Sequence, residues 1–292
     1  MFEQACCWMN GAVIPASEAR ISVFDHGFLY GDGVFEGIRF YNNRVFRLSS
    51  HLRRLLDSAK VLQLSVPLSM AELEQAVAAT VKASPLSDGY LRLLVTRGIG
   101  PLGINPATCP QPEVIILADQ LQMIREAQRT QGIRVMIAST RRPSPDRLDP
   151  RIKSLNYLNS IMARIEANHA GVEEAILLND RGCVAEGTAD NVFILREGTL
   201  LTPWVTEGAL AGITRSVVLE LAVALGITVQ ETVLTPYDLY TADECFLTGT
   251  GAELIPVRDV DGRELRYCPG KDYQRLSEAF AGLVMRETGA IG

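Results

Sequence analysis

Lys153 and Tyr157 share the stretch Arg151-Ile152-Lys153-Ser154-Leu155-Asn156-Tyr157-Leu158, and Glu186-Gly187 follows later in the chain. An amine, a phenol and a carboxylate form a set that suits a pyridine aldehyde. The amine condenses with the aldehyde, the phenol hydrogen-bonds the ring's O3′, and the carboxylate keeps the pyridine nitrogen protonated. The set therefore points to pyridoxal 5′-phosphate as cofactor. Lysine is scarce in this chain, occurring only at positions 60, 82, 153 and 271. The other three fall in amphipathic helical patterns, where a lysine is ordinarily a solvated charge. Lys153 is thus the candidate nucleophile, with Tyr157 placed about one helical turn after it.

A cofactor phosphate needs backbone N–H groups at a helix N-terminus and a guanidinium for its charge. Gly212-Ile213-Thr214 stands at the start of a helix expected from about Arg215, with the helix dipole behind its amides. A second turn, Thr248-Gly249-Thr250-Gly251-Ala252-Glu253, follows a strand-like run; its small residues let backbone approach a ligand, and Thr250 adds a hydroxyl. Gly98-Ile99-Gly100-Pro101-Leu102-Gly103 matches the dinucleotide fingerprint, but the residues after it read as loop. Without a following helix there is no dipole to receive a pyrophosphate, so this match fails its own context.

The elements that must carry these groups fall into two sets. Phe35 to Leu48 reads as a β-hairpin turning at Asn42-Asn43, and a helix capped by Ser49 or Ser50 runs through Leu62. Ser69-Met70-Ala71-Glu72 is a capping box opening a second helix, and strands follow at Tyr90–Thr96 and Glu113–Ala118. The polar stretch from Asp119 to Gly132 is the expected boundary. Beyond it come a strand from Ile133, a helix over Leu155–His169 ended by Gly171, several short strands, a helix over Thr214–Leu225 and a last helix over Lys271–Arg286. The expected fold class is α+β: a small N-terminal α/β domain (1–120), a linker (121–132), and a larger β-barrel-like domain (133–292).

At 292 residues the chain has room for two cores, and a formal charge of -6 with no basic run argues against a nucleic-acid surface. Arg141, Arg142, Arg147 and Arg151, interleaved with prolines, read as a solvated connector. No signal peptide is expected from Met1-Phe2-Glu3, and no apolar run approaches the roughly 20 residues of a membrane span. Six scattered cysteines without a Cys-x-x-Cys pair suit reduced thiols in a cytoplasmic protein. Three histidines, at 26, 51 and 169, are too few for an imidazole-rich metal site, so no metal is expected.

With these residues set out, the chain resembles the fold-type IV pyridoxal phosphate aminotransferases, most closely the branched-chain amino acid branch. The motifs occur in the family's order: Phe28-Leu29-Tyr30-Gly31-Asp32-Gly33-Val34-Phe35-Glu36-Gly37, His51-Leu52-Arg53-Arg54-Leu55, Tyr90-Leu91-Arg92, Lys153 with Asn156-Tyr157-Leu158, Glu186-Gly187, Gly212-Ile213-Thr214 and Gly249-Thr250-Gly251-Ala252-Glu253. The resemblance implies that Lys153 binds the cofactor covalently, that Glu186 partners the pyridine nitrogen and that Tyr157 bonds O3′. It assigns Arg54, Ile213, Thr214 and Thr250 to the phosphate. The residues alone leave Arg53 and Arg54 indistinguishable. It further implies that Tyr90 with the amides of Gly251 and Ala252 receives the substrate α-carboxylate. Arg92 and Tyr30 would line the pocket and meet a distal carboxylate, and Phe35 would form an apolar wall. The loop holding Ile104 would reach a neighbouring subunit, implying a homodimer or higher homo-oligomer.

The family's proline after Tyr-x-Arg is Leu93 here, a packing change, and Leu102-Gly103-Ile104 lacks the arginine and histidine of the D-amino acid branch. The expected activity is transfer of the amino group of L-leucine, L-isoleucine or L-valine to 2-oxoglutarate in a ping-pong cycle. D-amino acid or (R)-amine transamination is the nearest alternative, and aminodeoxychorismate lyase chemistry a more distant one.

Overall fold

The computed structural model describes residues 5–120 and 126–289. The chain folds as two compact units. The first comprises Met1–Leu121, Ile152–Asn156 and Val284–Gly292, the second Gln122–Arg151 and Tyr157–Leu283. Of the expected linker, residues 121–125 lie outside the described residues, and Glu126–Gln131 is helical.

The first unit contains β1 (Cys6–Met9), β2 (Ala12–Pro15), α1 (His26–Tyr30), β3 (Gly33–Tyr41), β4 (Arg44–Val45), α2 (Leu48–Val61), α3 (Met70–Ala83), β5 (Gly89–Thr96) and β6 (Glu113–Asp119). Its strands form one antiparallel sheet in the order β2-β1-β6-β5-β3-β4. The hairpin turns at Asn42 and Asn43, both at positive φ, the conformation that a tight two-residue turn demands. Ser69 and Glu72 form the expected capping box of α3. The start of α2 differs from expectation: its cap is Arg47, in the left-handed region, and Ser49 and Ser50 lie inside the helix.

Side chains on a strand alternate between faces, so β3 and β5 each present two sets. Val34, Ile38 and Phe40 of β3, with Leu91, Leu93 and Val95 of β5, pack into one core with Leu52, Leu55 and Ala59 of α2 and Leu73 and Val77 of α3. Each fully buried aliphatic side chain contributes roughly 1.5–3 kcal/mol. Phe35 and Gly37, and Tyr90 and Arg92, occupy the other face.

The second unit contains α4 (Glu126–Gln131), β7 (Ile133–Ile137), α5 (Leu158–Ala170), β8 (Glu174–Leu178), β9 (Val184–Gly187), β10 (Asn191–Arg196), β11 (Thr199–Pro203), α6 (Ile213–Ala224), β12 (Thr228–Thr232), α7 (Pro236–Tyr240), β13 (Glu244–Gly249), β14 (Glu253–Val260), β15 (Arg263–Glu264) and most of α8 (Lys271–Thr288). The sheet runs β12-β11-β10-β13-β14-β7-β8-β9, with β15 on β14. β9 returns close to β10 and β11, so the sheet curls into a half-barrel around Val135, Ile176, Val192, Leu247 and Val257. The α+β class and barrel-like second unit agree with the sequence expectation.

One helix boundary moves. α5 begins at Leu158 rather than Leu155, so Lys153 and Tyr157 do not share a helical turn. Residues 153–155 instead run along the edge of β3. Phe35 N–H donates to Lys153 O (2.9 Å), and Leu155 N–H donates to Gly33 O (3.0 Å). Those backbone groups are committed to strand-like pairing and cannot start a helix.

Candidate active site

In the first unit Lys153 is half-buried, whereas the chain's other lysines, Lys60, Lys82 and Lys271, are exposed. Its backbone is held on two sides: the N–H donates to Ser58 Oγ of α2 (3.1 Å), and the carbonyl accepts from Phe35. Its Nζ lies 4.7 Å from the centre of the Phe35 ring. Arg92 crosses the same ring at 4.5 Å and the Tyr90 ring at 5.5 Å. Lys153, Phe35, Tyr90 and Arg92 therefore form one cluster on the face of the sheet away from α2 and α3. Gly37 makes room for it: a Cβ there would fall 1.8 Å from the Tyr90 hydroxyl. Tyr30 accepts a hydrogen bond from Gly103 N–H (2.9 Å), and Ile104, next along from Gly103, is 84% exposed.

β3 sets Arg54 apart from Arg53, because only Arg54 reaches its Glu36. Glu36 alternates onto the core face beneath α2, where a carboxylate needs charged partners. His51 and Arg54 are three residues apart on one side of α2 and both reach it, while Arg53 is exposed. Arg54 donates from Nε to Glu36 Oε1 (2.7 Å) and from Nη2 to Oε2 (2.8 Å). His51 Nδ1 lies 2.7 Å from Oε2. Burial pushes the Glu36 carboxyl up, but the Arg54 charge and the bonds from His51 and Arg54 outweigh it and bring it down to about 2. Burial lowers the His51 imidazole, so it is neutral and donates through Nδ1–H to an ionised acceptor.

In the second unit Glu186 lies on β9, buried, with its two oxygens held from different directions. Oε1 is 2.9 Å from Arg142 Nη2, and Oε2 accepts from Leu210 N–H (2.9 Å). Arg142 corrects an expectation. Arg141, Arg147 and Arg151 are exposed as a solvated connector should be, but Arg142 is 7% exposed and paired. Tyr157 is half-buried at the N-cap position of α5.

α6 starts at Ile213, one to two residues before the start expected at Thr214 to Arg215, and its N-cap Gly212 supplies no side chain to the first-turn amides. Thr214 is buried there and Ile213 half-buried. The preceding turn is pinned by Asn191, whose Nδ2 donates to Leu210 O (2.9 Å) and whose Oδ1 would be 2.0 Å from a Cβ at Gly212. Asp190 serves the other turn: a Cβ at Gly249 would lie 2.3 Å from its Oδ1. Thr250 and Gly251 are half-exposed, Ala252 is buried, and the buried Thr248 hydroxyl has no protein partner. The sequence reading gave no site role to Asp190, Asn191, Arg142, Glu36 or His51. The polar pair three residues after Gly187 and the His-x-x-Arg spacing on α2 were the signals present for Asp190, Asn191 and His51.

The amino-transferase class IV family model matches residues 33–260. The chain belongs to the class IV aminotransferases. A relative from Methanocaldococcus jannaschii, provisionally named a branched-chain-amino-acid aminotransferase, is 48% identical over 274 residues and 94% of each chain. The crystal structure of the Escherichia coli branched-chain amino acid aminotransferase superposes with a TM-score of 0.93 at 37% identity, covering 98% of this chain and 96% of that one. A T.th. branched-chain amino acid aminotransferase, solved with pyridoxamine 5′-phosphate, gives a TM-score of 0.92 at 37% identity, covering 98% and 96%.

Class IV aminotransferases use pyridoxal phosphate, and the residues present suit it. The uncapped first turn of α6 and the small-residue turn at 249–252 offer donors to a phosphate, with the orphaned Thr248 hydroxyl beside the second turn. Glu186 is held as a fixed acceptor by Arg142 and the Leu210 N–H. When bound, the cofactor supplies an electron sink for the carbanion left by loss of the substrate Cα proton. Among the described residues no cluster of metal-ligating side chains occurs, and no helix is long and apolar enough to cross a membrane.

Proposed function

We propose that this aminotransferase moves the amino group of L-leucine, L-isoleucine and L-valine to 2-oxoglutarate in a ping-pong cycle. The observation that carries this reading is the cluster of Phe35, Tyr90 and Arg92 beside Lys153. Phe35 offers an apolar wall to a branched side chain. Arg92, lying across two aromatic rings, is a cation that meets a distal carboxylate when glutamate or 2-oxoglutarate arrives. The names of the similar proteins support the same substrates.

In this reading Lys153 takes the proton from substrate Cα as general base and returns it as acid. Glu186 keeps the pyridine nitrogen protonated, Tyr157 bonds O3′, and Arg54, Ile213, Thr214 and Thr250 hold the phosphate. Tyr90 and the amides of Gly251 and Ala252 receive the α-carboxylate, with Tyr30 and Ile104 completing the pocket. We also propose a homodimer in the cytoplasm. Leu158, Ile161, Met162 and Ile165 form an exposed apolar stripe on α5 that suits a second copy, and six free cysteines suit a reducing compartment.

The test is a half-reaction. Purified holoenzyme is mixed separately with L-leucine, D-alanine and (R)-1-phenylethylamine, and loss of the cofactor's aldehyde-derived absorbance is followed. Rapid loss with L-leucine alone is expected. Comparable or faster loss with D-alanine or the amine would overturn the choice of substrate.

A further inference from the structure

Arg142 sits in a stretch whose composition suggests solvent, yet the fold builds a socket for it. Glu166 of α5 clamps the turn before it, accepting from the N–H and hydroxyl of Ser139 (2.6 and 2.8 Å) and of Thr140 (3.0 and 2.5 Å). Burial pushes the Glu166 carboxyl up, but these four bonds bring it down to about 2, so the clamp is ionised. The Arg142 N–H donates to Leu178 O of β8 (2.9 Å), and the Arg141 carbonyl accepts from Asn159 Nδ2 (2.8 Å). Gly208, at φ +107°, leaves space for the side-chain stem: a Cβ there would lie 3.1 Å from Arg142 Cγ.

The guanidinium is held equally firmly. Nη1 donates to Asn159 Oδ1 (3.0 Å) and Ser160 Oγ (3.1 Å). Nη2 donates to Gly187 O (3.1 Å) and pairs with Glu186 Oε1 (2.9 Å). A planar fork fixed at four acceptors defines a plane and a direction for whatever it meets, which a lysine could not do. Of those four acceptors only Glu186 carries a charge.

We propose that Arg142 is a positioning residue for this transaminase. It fixes the plane of the Glu186 carboxylate, so that Glu186 presents a constant acceptor to the cofactor's pyridine N–H. The proposal rests on the reading of Glu186 as the partner of that nitrogen. Without Arg142 the carboxylate loses the fork that fixes Oε1, so its plane is no longer set from that side and the ring nitrogen loses a steady partner for its proton. The partners of the Arg142 guanidinium are all protein groups, so it acts through Glu186.

The test is a double-mutant cycle on the full-length protein reconstituted with 15N-labelled pyridoxal phosphate. Wild type, Arg142→Met, Glu186→Gln and the double variant are compared by the 15N resonance of the bound cofactor, the dissociation constant of the cofactor and the L-leucine half-reaction rate. Arg142→Met is expected to move the resonance toward that of unprotonated pyridine and to slow the half-reaction about 10- to 100-fold, as loss of a supporting partner commonly does. In the Glu186→Gln background the same change is expected to cost less than about twofold, because the group it acts through is already gone.

Equal costs in both backgrounds would overturn the proposal, since a purely structural arginine does not depend on Glu186. An unmoved resonance in Arg142→Met, with Glu186→Gln moving it, would overturn the role of Arg142 and leave that of Glu186 standing. An unmoved resonance in Glu186→Gln would overturn both. Should Arg142→Met not fold, Arg142→Lys carries the test. It keeps the charge without the fork and is expected to move the resonance part of the way, and no movement overturns the proposal.

Discussion

Among the described residues each unit of the molecule buries one arginine–glutamate pair, and the two pairs run in opposite senses. In the first, Glu36 is wholly inaccessible and takes three hydrogen bonds, two from Arg54 and one from His51. The carboxylate is the anchor, and Arg54 is the group assigned to the ligand. In the second, Arg142 spends its donors on Asn159, Ser160, Gly187 and Glu186, while Glu186 is the group assigned to the ligand. A buried ion pair is not by itself a source of stability, because desolvation offsets most of the attraction. What both pairs supply is a fixed direction for one charged group. In each pair we read the member held by several protein partners as the anchor and the other as the working end.

If that division is right, breaking the first pair damages phosphate binding and leaves the ring nitrogen alone. Glu36→Gln keeps the shape but removes the charge that Arg54 and His51 face. Unfolding of the apoprotein by urea is expected to show a loss of about 3 kcal/mol. Cofactor affinity is expected to fall on the order of 100-fold, as a free Arg54 no longer points one way. The 15N resonance of bound cofactor should stay at its wild-type value. A resonance that moved as far as in Arg142→Met would break the comparison, because the two pairs would then act on the same atom.

Acid separates the pairs in a gentler way. Glu36 has a folded value of about 2 against an ordinary 4.5, so its contribution is complete above about pH 4.5 and is lost as pH falls toward 2. Buried His51 lies below its ordinary 6.5, so its neutral form also favours the folded state above that pH and weakens it below. Both signs agree: stability falls on acidification. Urea midpoints of wild type and Glu36→Gln should differ by a constant amount from pH 7 to 5. Between pH 4.5 and 3 the difference should shrink by about 2 kcal/mol. A difference that held constant down to pH 3 would show that Glu36 does not carry its charge in the folded protein.

The sequence made these working ends more legible than their anchors. Lys153 and Glu186 are conspicuous because their chemistry is rare in context, and α6 and β5 follow from plain hydrophobic periodicity. β9, which carries Glu186, is only four residues long and buried throughout, so it shows no alternation. Arg142 was hidden for a different reason. Its neighbours Arg141, Pro143 and Pro145 read as solvent-facing, and only the pairing of β7 with β8 brings that turn beneath Glu166. The start of α5 failed similarly: residues 153–155 have helical composition, but β3 claims their backbone from more than a hundred residues away. Periodicity reports local preference, whereas these three features are decided by tertiary hydrogen bonds.

The smallest effect is expected where the second unit works through backbone rather than charge. Gly212 lies in the ordinary extended region, so an alanine costs nothing in φ and ψ. Its cost is spatial: the new Cβ would stand 2.0 Å from Asn191 Oδ1, which is held in place by its own bond to Leu210 O. Either the amide turns away and releases Leu210, or the first turn of α6 shifts. Both outcomes loosen the donors offered to the phosphate, and overpacking of this kind costs about 1–2 kcal/mol. Gly212→Ala should therefore weaken cofactor binding roughly tenfold at unchanged 15N resonance, a lesser version of the Glu36→Gln phenotype. Adding Asn191→Ala relieves the clash and should recover part of the affinity. A double variant weaker than either single one would show that Asn191 holds the turn mainly through Leu210, and that the contact with Gly212 follows from that bond rather than shaping the cup.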